Sequence, residues 1–552
     1  MGKIKGAKAI IESLKREGID HIFSLPGTTI LDLFDVLYDD KDMRLIVTRH
    51  EQGASFMADG YARASGKPSV CMASRGPGAL NMATGIYNAF MESSPVIALV
   101  GQVGQDISLR DAFEEIDVVA AFRPYTKWAI EIQRAERIPE LVQRAVRTAK
   151  SGRPRPVMIS VPVNLQRDYV EEVFWPPTNY PKPRADMEIL KAAVDQIINA
   201  DLPVILAGNG INSSGAHRTL LKFSEFLHIP VIVTWGRDDL FPNDHPLFLG
   251  AAGFGSAKVT SDYLMKSNMI LAIGCRFSEF TTLRYSLPKS HASLITIDIE
   301  SEGLHRVFSP AIGIISDAKL ALEDLLIAAQ ARVSEDDLKK MRETSDKQVK
   351  EARNTLLRTL IVSDDHNQQG YVHPGILIQN IQKAAKEEAI IVTDCGSLVM
   401  WANRFYQFRQ PGTLISPAGG SMGFGLPAAI GAQLAQPDRK VIAITGDGAF
   451  MMVLQELETA VRYKIPVVVV IMNNFSFANV KEKQIREYGG RLTGSEYSNP
   501  DFAQLAKLFG AYGERIEKAE DVIPAMTRAL NSGLPSVLDV MIDPKFSVPP
   551  AS

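Results

Sequence analysis

The chain has 552 residues, a formal net charge of −3, and 46% hydrophobic and 22% charged residues. Its length points to three domains of about 150–200 residues each, and its composition to a soluble globular protein. The small net charge gives no electrostatic case for nucleic acid or an anionic membrane as partner. Three widely spaced cysteines, Cys71, Cys275 and Cys395, form neither a disulfide framework nor a metal cluster, so a reducing cytoplasm is expected. No signal peptide is read at Met1–Gly6, and no run of about 18 uncharged apolar residues predicts a membrane span.

The first block, 1–175, opens on a helix and then alternates strand and helix. Strands are predicted at His21–Ser24, Arg44–Thr48, Val70–Ala73 and Val96–Val100, and a helix from Gln52 to about Ala64. This rhythm predicts a parallel sheet with helices on both faces. A proline-rich linker runs from Pro176-Pro177 to Pro181-Lys182-Pro183. The second block, 186–340, repeats the pattern with strands at Val204–Ala207, Val231–Val233, Ile270–Ile273 and Leu294–Ile297. A charged helix from about Ser334 to Arg358 and a polar linker, Ser363–Gln368, precede the third block, 370–552. The fold class expected is α/β, with three doubly wound parallel sheets.

The third block carries the most informative motif. Lys440–Thr445 reads as a buried strand that leads into Gly446-Asp447-Gly448. Leu454, Leu457 and Val461 recur at helical spacing, and Pro466–Met472 is a second buried strand ending at Asn473-Asn474. In a right-handed βαβ crossover the two strand ends share one edge of the sheet. Asp447 and Asn474 therefore meet at the crevice where open α/β sheets bind ligands. A carboxylate and an amide oxygen suit Mg²⁺, which completes its octahedron with diphosphate and water.

This motif resembles the metal–diphosphate site of thiamine-diphosphate enzymes. Arg49-His50-Glu51-Gln52-Gly53-Ala54, Asp111-Ala112-Phe113 and Met422–Pro427 resemble the acetolactate synthase-like family in particular. The resemblance implies a pyrimidine-binding first domain, a central nucleotide-binding-like domain and a diphosphate-binding last domain. It implies that Glu51 hydrogen-bonds the aminopyrimidine ring, with Pro26, Gly27, Pro77 and Asn81 around the cofactor and Phe113 and Glu114 at the substrate side. In the last domain it implies a diphosphate cradle at Gly396-Ser397, an accepting carbonyl at Gly420 and an apolar wedge at Met422. Asp447, Gly448, Ala449 and Asn474 then hold the diphosphate and its metal, with the Ser476 carbonyl as third protein ligand. His50 is expected to be structural. In the family the cofactor spans two chains, so a homodimer or homotetramer with interfacial active sites is implied.

Three positions depart from the acetolactate synthase pattern: Glu114 stands for a glutamine, Val163 for a lysine and Lys483 for a tryptophan. The activity implied is carbon–carbon bond cleavage or formation on a 2-oxo acid or related carbonyl donor. Three alternatives stay open: a 2-hydroxyacyl-CoA lyase or oxalyl-CoA decarboxylase-like enzyme, which acts on an acyl-CoA and releases an aldehyde or CO₂; a flavin-linked oxidase; and a non-catalytic regulator. Lys481, Lys483 and Arg486 read either as a solvated helix face or as a clamp for an anionic substrate. FAD or ADP is considered for the central domain, on the fragment Gly208-Asn209-Gly210, on Gly274-Cys275-Arg276 and on Asp298 as a ribose partner.

Overall fold

The structure is a computed structural model that describes residues 2–178, 180–362, 370–546 and 548–549. The β-branched runs form the centres of three six-stranded sheets, each parallel throughout. These strands are apolar on both faces because helices cover both faces. In the first sheet the spatial order is Arg44–Val47, His21–Ser24, Ser69–Ser74, Val96–Gln102, Val157–Pro162, Trp128–Glu131. The last sheet runs Leu414–Ile415, Ile390–Thr393, Val441–Gly446, Val468–Asn473, Ser536–Met541, Tyr512–Ile516. Numbered within each block, both follow 2-1-3-4-6-5, so the first and last blocks share one topology.

The central sheet differs. Its order is Phe248–Ala251, Val231–Val233, Pro203–Ala207, Met269–Ile273, Ser293–Asp298, Ile312–Ile315, which is 3-2-1-4-5-6 within the block. That is the order of dinucleotide-binding folds, with the strand order reversing between the parallel neighbours Pro203–Ala207 and Met269–Ile273.

The three-sheet α/β architecture expected from the sequence is what the chain adopts. Some local expectations need correction. Residues Lys3–Lys5 form a short strand paired antiparallel with Tyr169–Glu171 before the first helix, Gly6–Arg16, begins. The single helix expected after Asp447 is two helices, Asp447–Met451 and Glu456–Arg462, with Leu454 in the turn between them. The charged helix spans Glu335–Arg358, with Ser334 and Asp337 forming a capping box. The predicted linker Ser363–Gln368 lies outside the described residues. Among the described residues no helix is long and apolar enough to cross a membrane.

The first and last blocks pack directly on one another. Helix Glu51–Ser65 crosses helix Gly425–Ala435 at close range because small residues meet there. A Cβ on Gly60 would sit 2.2 Å from the Ala428 carbonyl oxygen, and one on Gly431 2.0 Å from that of Met57. Phe56 meets Phe424 edge to face at 5.5 Å, inside a core that runs through both blocks.

Glu456 seals the same contact. Its fully buried carboxylate accepts from the Arg49 amide at 3.2 and 3.3 Å and from the Thr459 hydroxyl at 2.7 Å. Burial pushes its carboxyl up from 4.5 to about 7. The folded state thus holds this proton more tightly than the unfolded chain does. The resulting stability is full below about pH 4.5 and is lost as the pH rises through about 7, a change of order 3 kcal/mol. Glu456→Gln, which can still accept from the amide and donate to Thr459, should remove that slope. Urea unfolding of both proteins at about pH 5 and about pH 8 measures it, and an unchanged slope would count against this assignment.

Candidate active site

Parallel register places the metal motif. Gly446 pairs with Met472, so the two strands end level and Asp447 faces Asn473-Asn474. The cavity lies beyond the ends of Ile390–Thr393 and Val441–Gly446, the point where the strand order of this sheet reverses. It has a volume of about 340 Å³, and its walls include Gly396, Ser397, Met422, Asp447, Gly448, Ala449, Asn474 and Ser476. Tertiary structure thus gathers eight of the expected site residues from four segments of chain. Gly420 lies two residues before Met422 with φ of 72°, a conformation that favours glycine.

Asp447 is 2% exposed. Its Oδ1 accepts from the Gly448 amide at 2.9 Å and the Tyr497 hydroxyl at 3.0 Å, and its Oδ2 from the Phe475 amide at 2.7 Å and Asn499 Nδ2 at 2.8 Å. Burial pushes the carboxyl above its ordinary value, and these four donors pull against that. The Asn474 amide oxygen accepts from the Ser476 amide and hydroxyl, both at 3.2 Å.

This donor set fits a diphosphate-bound Mg²⁺. One carboxylate, one amide oxygen and nearby carbonyls are hard oxygen ligands, too few to cage a cation alone. Consistent with that, the described residues hold no cluster of three His, Cys, Asp or Glu side chains that would cage a metal ion. The cavity also fits the anion. Gly396 has φ of 132°, and a Cβ there would meet nothing within 4 Å. It caps helix Ser397–Phe405 with no side-chain hydrogen bond, leaving the first amides of that helix available to a phosphate.

Three residues at this site escaped the sequence reading. Tyr497 and Asn499 hold Asp447 from a loop 50 and 52 residues downstream. Asp394, fully buried at the end of strand Ile390–Thr393, accepts from the amides of Cys395, Gly423 and Gly425 and from the Thr445 hydroxyl. It thereby ties the Met422 loop to the strand end.

The first block brings its own group together. Glu51 is the first residue of helix Glu51–Ser65 and is 9% exposed. Its Oε2 accepts from Asn81 Nδ2 at 3.0 Å. Gly78, next to Pro77, makes room for it: a Cβ there would sit 3.1 Å from Glu51 Oε1. His50 is structural, as expected: its side chain caps the helix by accepting from the Gln52 amide at 3.1 Å. Pro26 and Gly27 follow strand His21–Ser24, where a Cβ on Gly27 would sit 2.2 Å from the Ser74 Cβ. Phe113 is 76% exposed, and its carbonyl accepts from Arg75 at 3.0 Å. Glu114, at φ of 61°, lies 3.9 Å from the same guanidinium.

Within one chain the two groups do not share this cavity. Neither Glu51 nor Asn81 lines the cavity around Asp447. The basic cluster is neutralised: on helix Ala478–Glu487 Lys481 pairs with Glu496 at 2.7 Å, and Lys483 and Arg486 with Glu487 at 3.7 and 3.0 Å. No residue of that helix is buried, which is the solvated-face alternative.

A second cavity, about 640 Å³, opens at the reversal point of the central sheet, where Asn209, Gly210, Gly274 and Arg276 meet. Gly208 and Gly274 are in backbone contact, since a Cβ on Gly208 would sit 2.3 Å from the Gly274 carbonyl oxygen. Arg276 donates to the Met91 carbonyl at 2.6 Å and has no carboxylate within ion-pair distance among the described residues. Asp298 also lines the cavity, but Arg153 holds both its oxygens at 2.8 and 2.7 Å.

Sheet order, glycine cradle and hard-oxygen donors define a diphosphate-binding α/β enzyme. Comparison with known proteins gives the class. Residues 4–121, 190–325 and 394–540 match, in turn, the family models of the thiamine pyrophosphate enzyme N-terminal TPP binding domain, central domain and C-terminal TPP binding domain. The chain belongs to this family of thiamine pyrophosphate enzymes, on its acetolactate synthase-like branch. It is 38% identical to a probable acetolactate synthase large subunit of Methanocaldococcus jannaschii, over 99% of this chain and 93% of the relative. It is 32% identical to the acetolactate synthase isozyme 3 large subunit of Escherichia coli, over 96% and 93%. It is 31% identical to the isozyme 2 large subunit of the same organism, over 98% and 96%. The chain is thus a thiamine-diphosphate-dependent enzyme of the carboligase type.

Proposed function

We propose that the chain catalyses Mg²⁺- and thiamine-diphosphate-dependent carbon–carbon bond formation or cleavage on a 2-oxo acid, in the cytoplasm. On this reading 1–175 binds the pyrimidine, 186–340 is the central block and 370–552 binds the diphosphate. The observation that carries it is the single cavity shared by Asp447, Asn474, Ser476 and the open Gly396 cradle. When bound, thiamine diphosphate supplies the nucleophile and the electron sink for such chemistry.

The residues of this chain do the rest. Asp447 and Asn474, with the Ser476 carbonyl, hold the metal, and the Gly396–Ser397 amides hold the phosphates. Four donors already fill the lone-pair sites of Asp447, so an entering cation displaces one of them. Of the two side-chain donors, Tyr497 and Asn499, only Tyr497 lines the cavity, so its hydroxyl is the donor an entering cation meets. Tyr497→Phe should therefore tighten Mg²⁺ binding in a calorimetric titration, whereas weaker binding would mean that the hydroxyl supports the metal site. Met422, on the cavity wall, would support the bent form of a bound cofactor, and the Gly420 carbonyl would be its acceptor for the amino group. Glu51, oriented by Asn81, holds a proton at ring nitrogen N1′. Because Glu51 and Asp447 belong to separate groups, each active site takes Glu51 from one chain and Asp447 from another, in a homodimer or homotetramer.

Product analysis with a panel of 2-oxo acids and 2-hydroxyacyl-CoAs tests the reading. A 2-oxo acid should be consumed only when both thiamine diphosphate and Mg²⁺ are present. Turnover confined to acyl-CoAs would replace this reading with the lyase one, and no turnover of any substrate with the regulator one.

We also infer that the central cavity takes a nucleoside diphosphate, as FAD or ADP. The supporting observation is the Arg276 guanidinium beside the glycine turns at the reversal point, with no carboxylate in ion-pair distance among the described residues. Denatured protein should release the nucleotide, which absorbance and mass spectrometry identify. Release of none from protein saturated with either compound would end this inference.

A further inference from the structure

The loop Ser416–Met422, which follows strand Leu414–Ile415 of its own sheet, carries both Gly420 and Met422, and its far end is held within its own block. Asp394 accepts from the amides of Gly423 and Gly425 at 2.9 and 2.8 Å. The near end is fixed from outside. The Ala418 amide donates to Glu92 Oε1, and the Ser416 carbonyl accepts from Arg237 Nη1 at 3.4 Å. Glu92 comes from the first block, at the end of helix Arg75–Glu92, and Arg237 from the central block.

These two side chains form one buried ionic group. Glu92 is 2% exposed and Arg237 6%. Arg237 Nη2 donates to Glu92 Oε2, and Arg63 Nη1 lies 3.4 Å from the same oxygen. Burial works against the charge on Glu92. Arg237, Arg63 and the Ala418 amide outweigh it and hold the carboxyl below its ordinary value. Neighbouring groups tighten the arrangement. A Cβ on Gly419 would sit 2.7 Å from Asn88 Oδ1, and Asn88 in turn donates to buried Asp59 at 2.8 Å. A Cβ on Gly236 would sit 3.1 Å from Ser416 Oγ. The loop therefore runs through a slot made by other blocks of the same chain, and Glu92 and Arg237 also line the wall of the 640 Å³ cavity.

We propose that Glu92 and Arg237 are positioning residues for the reaction: they set the Gly420 carbonyl and the Met422 side chain by holding the backbone of Ser416 and Ala418. This rests on the reading of Gly420 and Met422 as the groups that bend the cofactor. The ionic group touches no part of the phosphate cradle or the metal ligands. Its loss should therefore leave anchoring intact and disturb the bend. The Glu92 carboxylate accepts from the Arg237 guanidinium and the Ala418 amide, with Arg63 beside it as an ion pair, and these two hydrogen bonds fix direction as well as distance, so even conservative changes should register.

The test uses the full-length protein with thiamine diphosphate and Mg²⁺. It measures cofactor Kd by calorimetry and the exchange rate of the cofactor C2 proton into deuterium by NMR. Glu92→Gln and Arg237→Lys should keep Kd within about three-fold and slow C2 exchange by about ten-fold or more. Arg237→Lys keeps the charge and loses the reach to Ser416, so it remains informative where Glu92→Gln folds poorly. Met422→Ala is the control for the underlying reading. If Met422→Ala slows exchange and neither Glu92→Gln nor Arg237→Lys does, the positioning role is wrong. If Met422→Ala leaves exchange unchanged, the bending role of the loop fails first. Equal losses in Kd and exchange, together with a lower melting temperature in both variants, would make the group purely structural and overturn the proposal.

Discussion

Glu51→Gln is expected to lower turnover by about 10²–10⁴-fold while leaving cofactor affinity within a few-fold. The amide keeps the size of the carboxylate and its place at the start of helix Glu51–Ser65. It can still accept from Asn81, now 3.0 Å from Glu51 Oε2. What it loses is the ability to hold or release a proton at the ring nitrogen. Glu51 is 9% exposed, and the missing side chain at Gly78 leaves room beside its Oε1. Water therefore offers a poor substitute in an assembled site. The effect should fall on kcat and kcat/KM together, because the proton matters in the transition state and not in substrate binding. Steady-state kinetics with the best substrate, alongside calorimetry, measures both quantities. Turnover within a factor of two of wild type would remove Glu51 from the chemistry.

Asp447→Asn should act on binding instead. Its two oxygens accept from Gly448, Tyr497, Phe475 and Asn499, two donors to each oxygen. An amide in its place must turn its NH₂ toward one pair of donors, leaving buried groups unsatisfied at a cost of about 1–3 kcal/mol. The negative charge that faces the cation is lost as well. Losing a partner of a metal ligand typically costs 10–100-fold in affinity. Losing the ligand itself should cost at least about 100-fold in Mg²⁺-dependent cofactor binding. The melting temperature of the cofactor-free protein should also fall. Cofactor affinity that matches wild type at every Mg²⁺ concentration would show that the metal sits elsewhere.

The sequence made some of this architecture readable and hid the rest for physical reasons. Val441–Gly446 and Val468–Asn473 stood out because both are buried and uncharged, so Asp447 and Asn474 could be placed at adjoining strand ends. Trp128–Glu131 was not read as a strand because it is a short edge strand whose apolar run, Trp128-Ala129-Ile130, is only three residues long and half-buried. Leu414–Ile415 is too short to show a period. The break at Leu454 was hidden because Leu454 and Leu457 keep helical spacing across a turn. Asp394 gave no signal, since its partners Gly423, Gly425 and Thr445 are 29, 31 and 51 residues away. Glu456 was equally silent, because the backbone it accepts from lies 407 residues upstream. Motifs report groups gathered by local register, whereas contacts between blocks have no local signature.

The claim on which all of this depends is that two chains build each active site. Mixing Glu51→Gln and Asp447→Asn proteins under conditions that exchange subunits tests it most directly. In a mixed dimer one site carries both substitutions and the other carries neither. A statistical mixture should therefore recover about a quarter of wild-type activity from two nearly inactive proteins. If the mixture stays as inactive as its parents after exchange is verified, Glu51 and Asp447 serve the same site within one chain, and the account is wrong.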